Sequence, residues 1–149
     1  MSYAYEQAPA RAGELGKGNI ASAKTSAEMV SGGALKAGLF VALNAAGGVK
    51  ALTAKTDVIA GVIFASRIKD EWAEGELVDV MHIAPADAIW VIVADGETVA
   101  RGDKVYVIAV ANGNKKAGTI QGKADATNAI ATDYNVIDVK GQLALITKL

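Results

Sequence analysis

A chain of 149 residues suits one domain, and a net charge of -1, from 15 basic and 16 acidic side chains, is too weak to hold nucleic acid or an anionic membrane. The absence of cysteine excludes disulfides, thiolate metal sites and thiol catalysis. Of 77 apolar residues 30 are alanine, and the larger ones include 27 Val and Ile against 9 Leu, a bias toward strands because β-branched side chains suit a pleated surface.

Residues 1–30 are rich in Ala, Gly, Ser and Lys and poor in large apolar groups beyond Tyr3, Tyr5, Leu15, Ile20 and Met29. Such a stretch cannot offset its ordering entropy alone, so it reads as an extended arm that orders on a partner, with residues 31–149 as a β-rich body. Within the arm, Ser22 to Ser31 is a candidate short helix with weak apolar spacing. The start, Met1-Ser-Tyr-Ala-Tyr-Glu6, has no basic segment followed by an apolar one, so no export signal is expected and the protein reads as cytoplasmic at synthesis.

From Gly33 onward short strands alternate with turn signals. Leu35–Leu43 and Val49–Thr53 flank the hairpin turn Asn44-Ala-Ala-Gly-Gly48. Val58–Ser66 is an apolar run interrupted by Gly61, which predicts a buried strand with a bulge. Glu76–Ala84 places Leu77, Asp79, Met81 and Ile83 on one face and Val78, Val80 and His82 on the other. Ala88–Ala94 leads into an Asp95-Gly96 turn, and Lys104–Ala111 ends at Asn112-Gly113. Ala117–Lys123, Tyr134–Val139 and Gln142–Thr147 complete the set, the last pair joined at Asp138-Val-Lys-Gly141. This spacing predicts an all-β barrel or sandwich of short antiparallel strands. The apolar runs Ile89–Ala94 and Val105–Ala111 are too short to cross a bilayer as helices.

One internal echo stands out. Leu35-x-x-Gly38-x-x-Val41 and Val99-x-x-Gly102-x-x-Val105 share a pattern in which glycine permits a positive-φ turn that feeds a strand. It reflects either a duplicated β-turn-β unit or a common barrel solution.

Candidates for chemistry are few. His82 is the lone histidine, no G-x-S-x-G is present, and a metal site would have only scattered carboxylates beside it. Gly13-Glu-Leu-Gly16-Lys-Gly18 lacks the spacing, the preceding strand and the following helix of a phosphate loop. Asp70, Glu71, Glu74, Glu76 and Asp79 surround Trp72 without calcium-loop spacing. The basic set Arg101, Lys104, Lys115, Lys116 and Lys123 has only Tyr106 nearby, so no stacking platform for nucleic acid is evident; pairing of the two clusters between subunits or plain solubility would explain them. Lys140 in a hairpin turn lacks the flanking residues of a carrier-domain lysine. No catalytic, cofactor or metal residues are assigned.

The order of segments resembles the phage structural cement, or head decoration, proteins. The resemblance runs through the arm Tyr3-Ala-Tyr-Glu-Gln-Ala-Pro9-Ala-Arg-Ala-Gly13, the polar stretch Ser22–Ser26, Gly33-Ala-Leu-Lys-Ala-Gly38-Leu-Phe-Val41 and Thr56-Asp-Val-Ile-Ala-Gly61-Val-Ile-Phe-Ala65. It continues through Gly75-Glu-Leu-Val-Asp-Val80 and Thr98-Val-Ala-Arg-Gly102-Asp-Lys-Val-Tyr-Val107 to a strand ending near the last residue. The resemblance implies a small β protein without enzyme activity or cofactor, on the outer surface of the expanded capsid, commonly as a homotrimer that bridges major capsid subunits. Tyr3 and Tyr5 in the arm and Trp72 in the acidic loop are the expected capsid or inter-subunit contacts, because aromatics are enriched among interface anchors. For Trp72, packing under its own loop is the equal alternative. The competing readings are a β-barrel ligand binder with a concave polar site, another virion component such as a head fibre or tail protein, and a small hydrolase, which would need His82 exposed beside a nucleophile.

Overall fold

The computed structural model describes residues 10–17, 24–65, 69–83, 85 and 87–149. Among them there are thirteen strands and no helix. They are β1 (Leu15–Lys17), β2 (Lys24–Met29), β3 (Leu35–Lys36), β4 (Phe40–Leu43), β5 (Val49–Lys50), β6 (Ile59–Ile63) and β7 (Glu71–Trp72). Then come β8 (Leu77–His82), β9 (Ala88–Ile92), β10 (Lys104–Ile108), β11 (Ile120–Gln121), β12 (Ala129–Lys140) and β13 (Leu143–Lys148). The all-β expectation holds, as a sandwich-like arrangement and not a closed barrel.

Three antiparallel sheets form layers. A six-stranded sheet runs β1-β9-β13-β12-β10-β11, a five-stranded sheet β2-β8-β6-β4-β5, and β3 pairs with β7 as a ribbon. The principal core lies between the two large sheets and joins Phe40, Val62 and Met81 of one to Ile89, Val107, Ile120, Val136 and Ile146 of the other. A second core lies on the opposite face of the five-stranded sheet, where Val41, Ile63, Val78 and Val80 meet Leu35 and Trp72 of the ribbon. Strand alternation builds both: along β4, Phe40 and Ala42 enter the first core and Val41 the second. β8 does the same, with Val78 and Val80 in the second core and Met81 in the first, while Leu77 and Asp79 at its other end are exposed.

The hairpin at Asn44–Gly48 forms as expected, closed by the Gly48 carbonyl accepting from Asn44 N–H at 2.9 Å. The bulge also forms: pairing slips between Val41↔Gly61 and Ala42↔Ile59. A different outcome meets Ser22–Ser31. Its described part is strand β2, not helix, paired in register from Lys24↔His82 to Met29↔Leu77. Long-range pairing with the strongly β-forming Val78–Met81 outweighs a weak local helical pattern. β1 and β2 thus place two pieces of the arm-like stretch inside the large sheets, while Tyr3 and Tyr5 lie outside the described residues.

The two large sheets trace the same path. Leaving β1 aside, each orders its strands first-fifth-fourth-second-third along the chain: β2-β8-β6-β4-β5 and β9-β13-β12-β10-β11. In each, a parallel bridge ties the end of the first strand to the third, Val30↔Val49 and Val93↔Ile120. Gly38 and Gly102 of the sequence echo hold φ +85° and +96° ahead of the equivalent β4 and β10. Gly75-Glu-Leu and Gly141-Gln-Leu lead into the equivalent β8 and β13. Shared path, bridges and turns together favour the duplicated unit over a chance likeness.

Gly13 and Gly38 join the sheets through backbone. Gly13 donates to Trp90 O at 2.7 Å and accepts from Ala65 N–H at 2.9 Å; Gly38 donates to Ile63 O at 3.0 Å and accepts from Ile92 N–H at 3.3 Å. Gly38 therefore bonds to both large sheets and Gly13 to β9 and the segment leaving β6, each at a spot with no room for a side chain.

Asp57 closes the loop between β5 and β6, accepting from Thr53 N–H at 2.8 Å, Ala54 N–H at 3.0 Å and Lys50 Nζ at 3.4 Å. The Thr53 amide above all, with the Ala54 amide and Lys50, holds its carboxyl below the ordinary aspartate value of 3.8. A depressed carboxylate stabilises the fold fully above that value, and the contribution is lost as pH falls through its lower folded value. Asp57→Ala should cost about 1 kcal/mol near neutral pH and progressively less on acidification, read from urea melts at several pH values.

Candidate functional site

The acidic cluster divides on folding. Trp72 pairs with Leu35 across the ribbon and is only 6% exposed, its indole sunk in the second core. The strand alternates, so Glu71 faces solvent beside it, and Asp70 and Glu74 are exposed too. Glu76 turns back to Lys69, which donates to its carboxylate, and accepts from Ala73 N–H at 3.0 Å. The lysine contact first, then that amide, lowers the Glu76 carboxyl from its ordinary range. Among the described residues no three His, Asp or Glu side chains converge as metal ligands.

The basic set is likewise dispersed. Lys115 binds Glu97 at 2.6 Å and donates to Gln121 Oε1 at 3.0 Å, which fastens the Asn112–Lys115 turn to β11. Arg101, Lys104, Lys116 and Lys123 are exposed. The Lys140 ammonium stands 5.6 Å from the centre of the Trp90 ring, a cation–π contact on the outer face of the six-stranded sheet.

His82 is exposed, and its Nε2 lies 3.1 Å from Ser26 Oγ across the β2–β8 pair. Sequence reasoning had no means to join residues 56 positions apart. The contact meets the geometric condition set for a hydrolase, a histidine beside a hydroxyl. It goes no further: among the described residues no carboxylate engages the other imidazole nitrogen, and the pair sits at a sheet margin open to water.

One concavity, about 310 Å³, is lined by Arg11, Lys36, Asp70 and Glu71 together with Ala12, Ala37 and Ile92. It adjoins a second of about 160 Å³ through Lys36 and Ile92. Charges of both signs rim the trough. No buried side-chain polar atom is left without a partner among the described residues, so none is held in reserve for a ligand. Arg11 itself donates to Lys69 O at 3.4 Å.

The layered architecture is shared with a solved chain. In "The capsid of Myoviridae Phage XM1", a chain 24% identical matches with a TM-score of 0.76, covering 99% of this chain and 94% of that one, which shows a common fold. Among curated proteins nothing matches. This is the fold of a phage capsid component, and the sequence agrees: the model of a family described as XM1 gp53 minor capsid protein matches residues 1–147. The chain belongs to the XM1 gp53 minor capsid protein family, and its place is the capsid of the virion.

Proposed function

We propose that the protein is a capsid decoration, or cement, protein that binds the outer surface of the mature head and bridges neighbouring major capsid subunits. The observation that carries this reading is the family match across nearly the whole chain. The fold supports it: two sheets locked face to face form a stiff block suited to bearing load, without an assembled catalytic constellation among the described residues. The protein acts without enzyme chemistry or cofactor, by adding interfaces. As a homotrimer it engages several shell subunits at once, so contacts that are individually weak add through high effective concentration.

Tyr3 and Tyr5 serve as anchors in this account. Deleting residues 2–9 removes both and leaves Gly13 and β1 in place. The deletion should preserve the thermal melt and reduce co-sedimentation with undecorated shells, whereas each Tyr→Ala change costs about 1–3 kcal/mol per contact if it is a hot spot. Undiminished co-sedimentation would move the anchor to the β body. Sedimentation equilibrium of the free protein tests the trimer.

A further inference from the structure

The equivalence of the two large sheets makes one edge conspicuous. In the six-stranded sheet, the outer side of β9 is occupied: β1 pairs with it antiparallel, Trp90 N–H donates to Glu14 O at 3.0 Å, and Gly13 N–H donates to Trp90 O at 2.7 Å. Its equivalent, β2, ends the five-stranded sheet: β5 reaches its outer side only at the far end, through the Val30↔Val49 bridge and the Ser31 N–H to Val49 O bond at 2.8 Å, and no described strand lies beside Thr25–Ala27.

The backbone of β2 is set for the same pairing. Val30 N–H donates to Glu76 O toward β8, as Val93 N–H donates to Gln142 O toward β13. By antiparallel alternation, Thr25 and Ala27 turn their N–H and C=O groups away from β8, as Ala88 and Trp90 turn theirs away from β13, while Met29 stands beside Gly48 at the β5 bridge. The side chains there are uncovered as well. Ala27 and Asp79, paired across β2 and β8, are exposed where their equivalents Trp90 and Leu145 are buried, and Met29 and Leu77, at 54% and 66% exposed, stand where Ile92 and Leu143 are half-buried.

We propose that the outward edge of β2 accepts an antiparallel strand from a shell subunit, in the way that β9 accepts β1 within this chain. The inference rests on the reading that the protein binds the shell, and names the surface and chemistry by which it does so. The host residues specify the guest. At β9 the host is bulky and the guest must be small: a Cβ on Gly16 would lie 2.1 Å from Leu145 Cδ1 and 3.1 Å from Trp90 Nε1. At β2, Ala27 and Asp79 occupy the places of Trp90 and Leu145, so the relation inverts. The guest carries a long basic side chain that crosses Ala27 to reach Asp79, which is exposed and has no ion pair among the described residues. Two residues along, on the same face, the guest carries an apolar residue toward the exposed Met29 and Leu77 side chains. Main-chain bonds supply the affinity and this alternation the specificity.

Hydrogen exchange of the Thr25 and Ala27 amides, measured on the full chain free and bound to undecorated shells, tests the edge directly. Binding should slow these amides at least about tenfold, the protection expected of a new ladder. Ala27→Pro removes an outward N–H and no bond to β8, so it should keep the melt and lose at least about tenfold in shell affinity. Wild-type binding with these amides still exchanging freely, or full binding by a folded Ala27→Pro variant, overturns the edge and leaves the cement reading standing. Amides already protected in the free protein also overturn it; loss of that protection on deleting residues 2–9 or on dilution would identify the chain's own segment or a second copy as the occupant. A wild-type protein that does not pellet with shells at all ends both readings.

Discussion

Trp72→Ala is expected to destabilise the protein by about 3–5 kcal/mol, the cost of emptying a buried indole site. On a chain of this size that lowers the melting temperature by roughly 6–20 °C. The indole is 6% exposed and shares the second core with Leu35, Val41, Ile63, Val78 and Val80, so its loss leaves the ribbon over a cavity on the five-stranded sheet. Glu71→Ala, one residue away and exposed, should shift stability by less than about 0.5 kcal/mol. Chemical denaturation of both variants separates a core tryptophan from a surface one. Similar small effects would mean that Trp72 does not support the fold.

Gly13→Val should have an effect of the same order, between about 2 and 6 kcal/mol. The position holds φ +78°, which costs a β-branched residue about 1–3 kcal/mol. The Cβ would also lie 2.7 Å from Ile63 O and 2.9 Å from both Ala37 Cβ and Ala65 N, and overpacking adds about 1–3 kcal/mol. Because Gly13 bonds to Trp90 on one side and Ala65 on the other, moving it to relieve the clash with Ile63 and Ala65 breaks its bond to β9. It follows that deleting residues 2–17, unlike residues 2–9, should collapse the melt: it removes this junction together with β1.

The elements that were legible in the sequence are those whose signals are local. Val and Ile runs between Gly-bearing turns marked β4, β6, β8, β9, β10 and β13, and Gly61 marked the bulge, because each depends on a few adjacent residues. β1, β2 and the first half of β12 were hidden for the opposite reason. Ala129-Ile-Ala-Thr-Asp133 has little apolar content of its own and becomes strand by pairing with Val107 and its neighbours on β10. Leu15–Lys17 gains its order from β9, more than 70 residues on. The acidic residues around Trp72 left an interface contact and packing under its own loop as equal readings; a two-residue strand turns Glu71 out and packs Trp72 in. The Ser26–His82 contact and the trough between Arg11, Lys36 and Asp70 join distant segments, which no spacing rule could assemble. Duplication was visible only as two spaced glycine motifs; matching strand order and bridges carry what the diverged side chains no longer do.

The most direct test of a capsid role is a pair of cryo-microscopy reconstructions of mature heads from the phage that encodes this chain, one with the gene intact and one with it deleted. The account predicts density of this sandwich on the outer surface of the intact heads, in contact with more than one major capsid subunit. That density should vanish from the deleted heads, which should also release DNA at lower temperature. Identical maps and identical heat stability would contradict it.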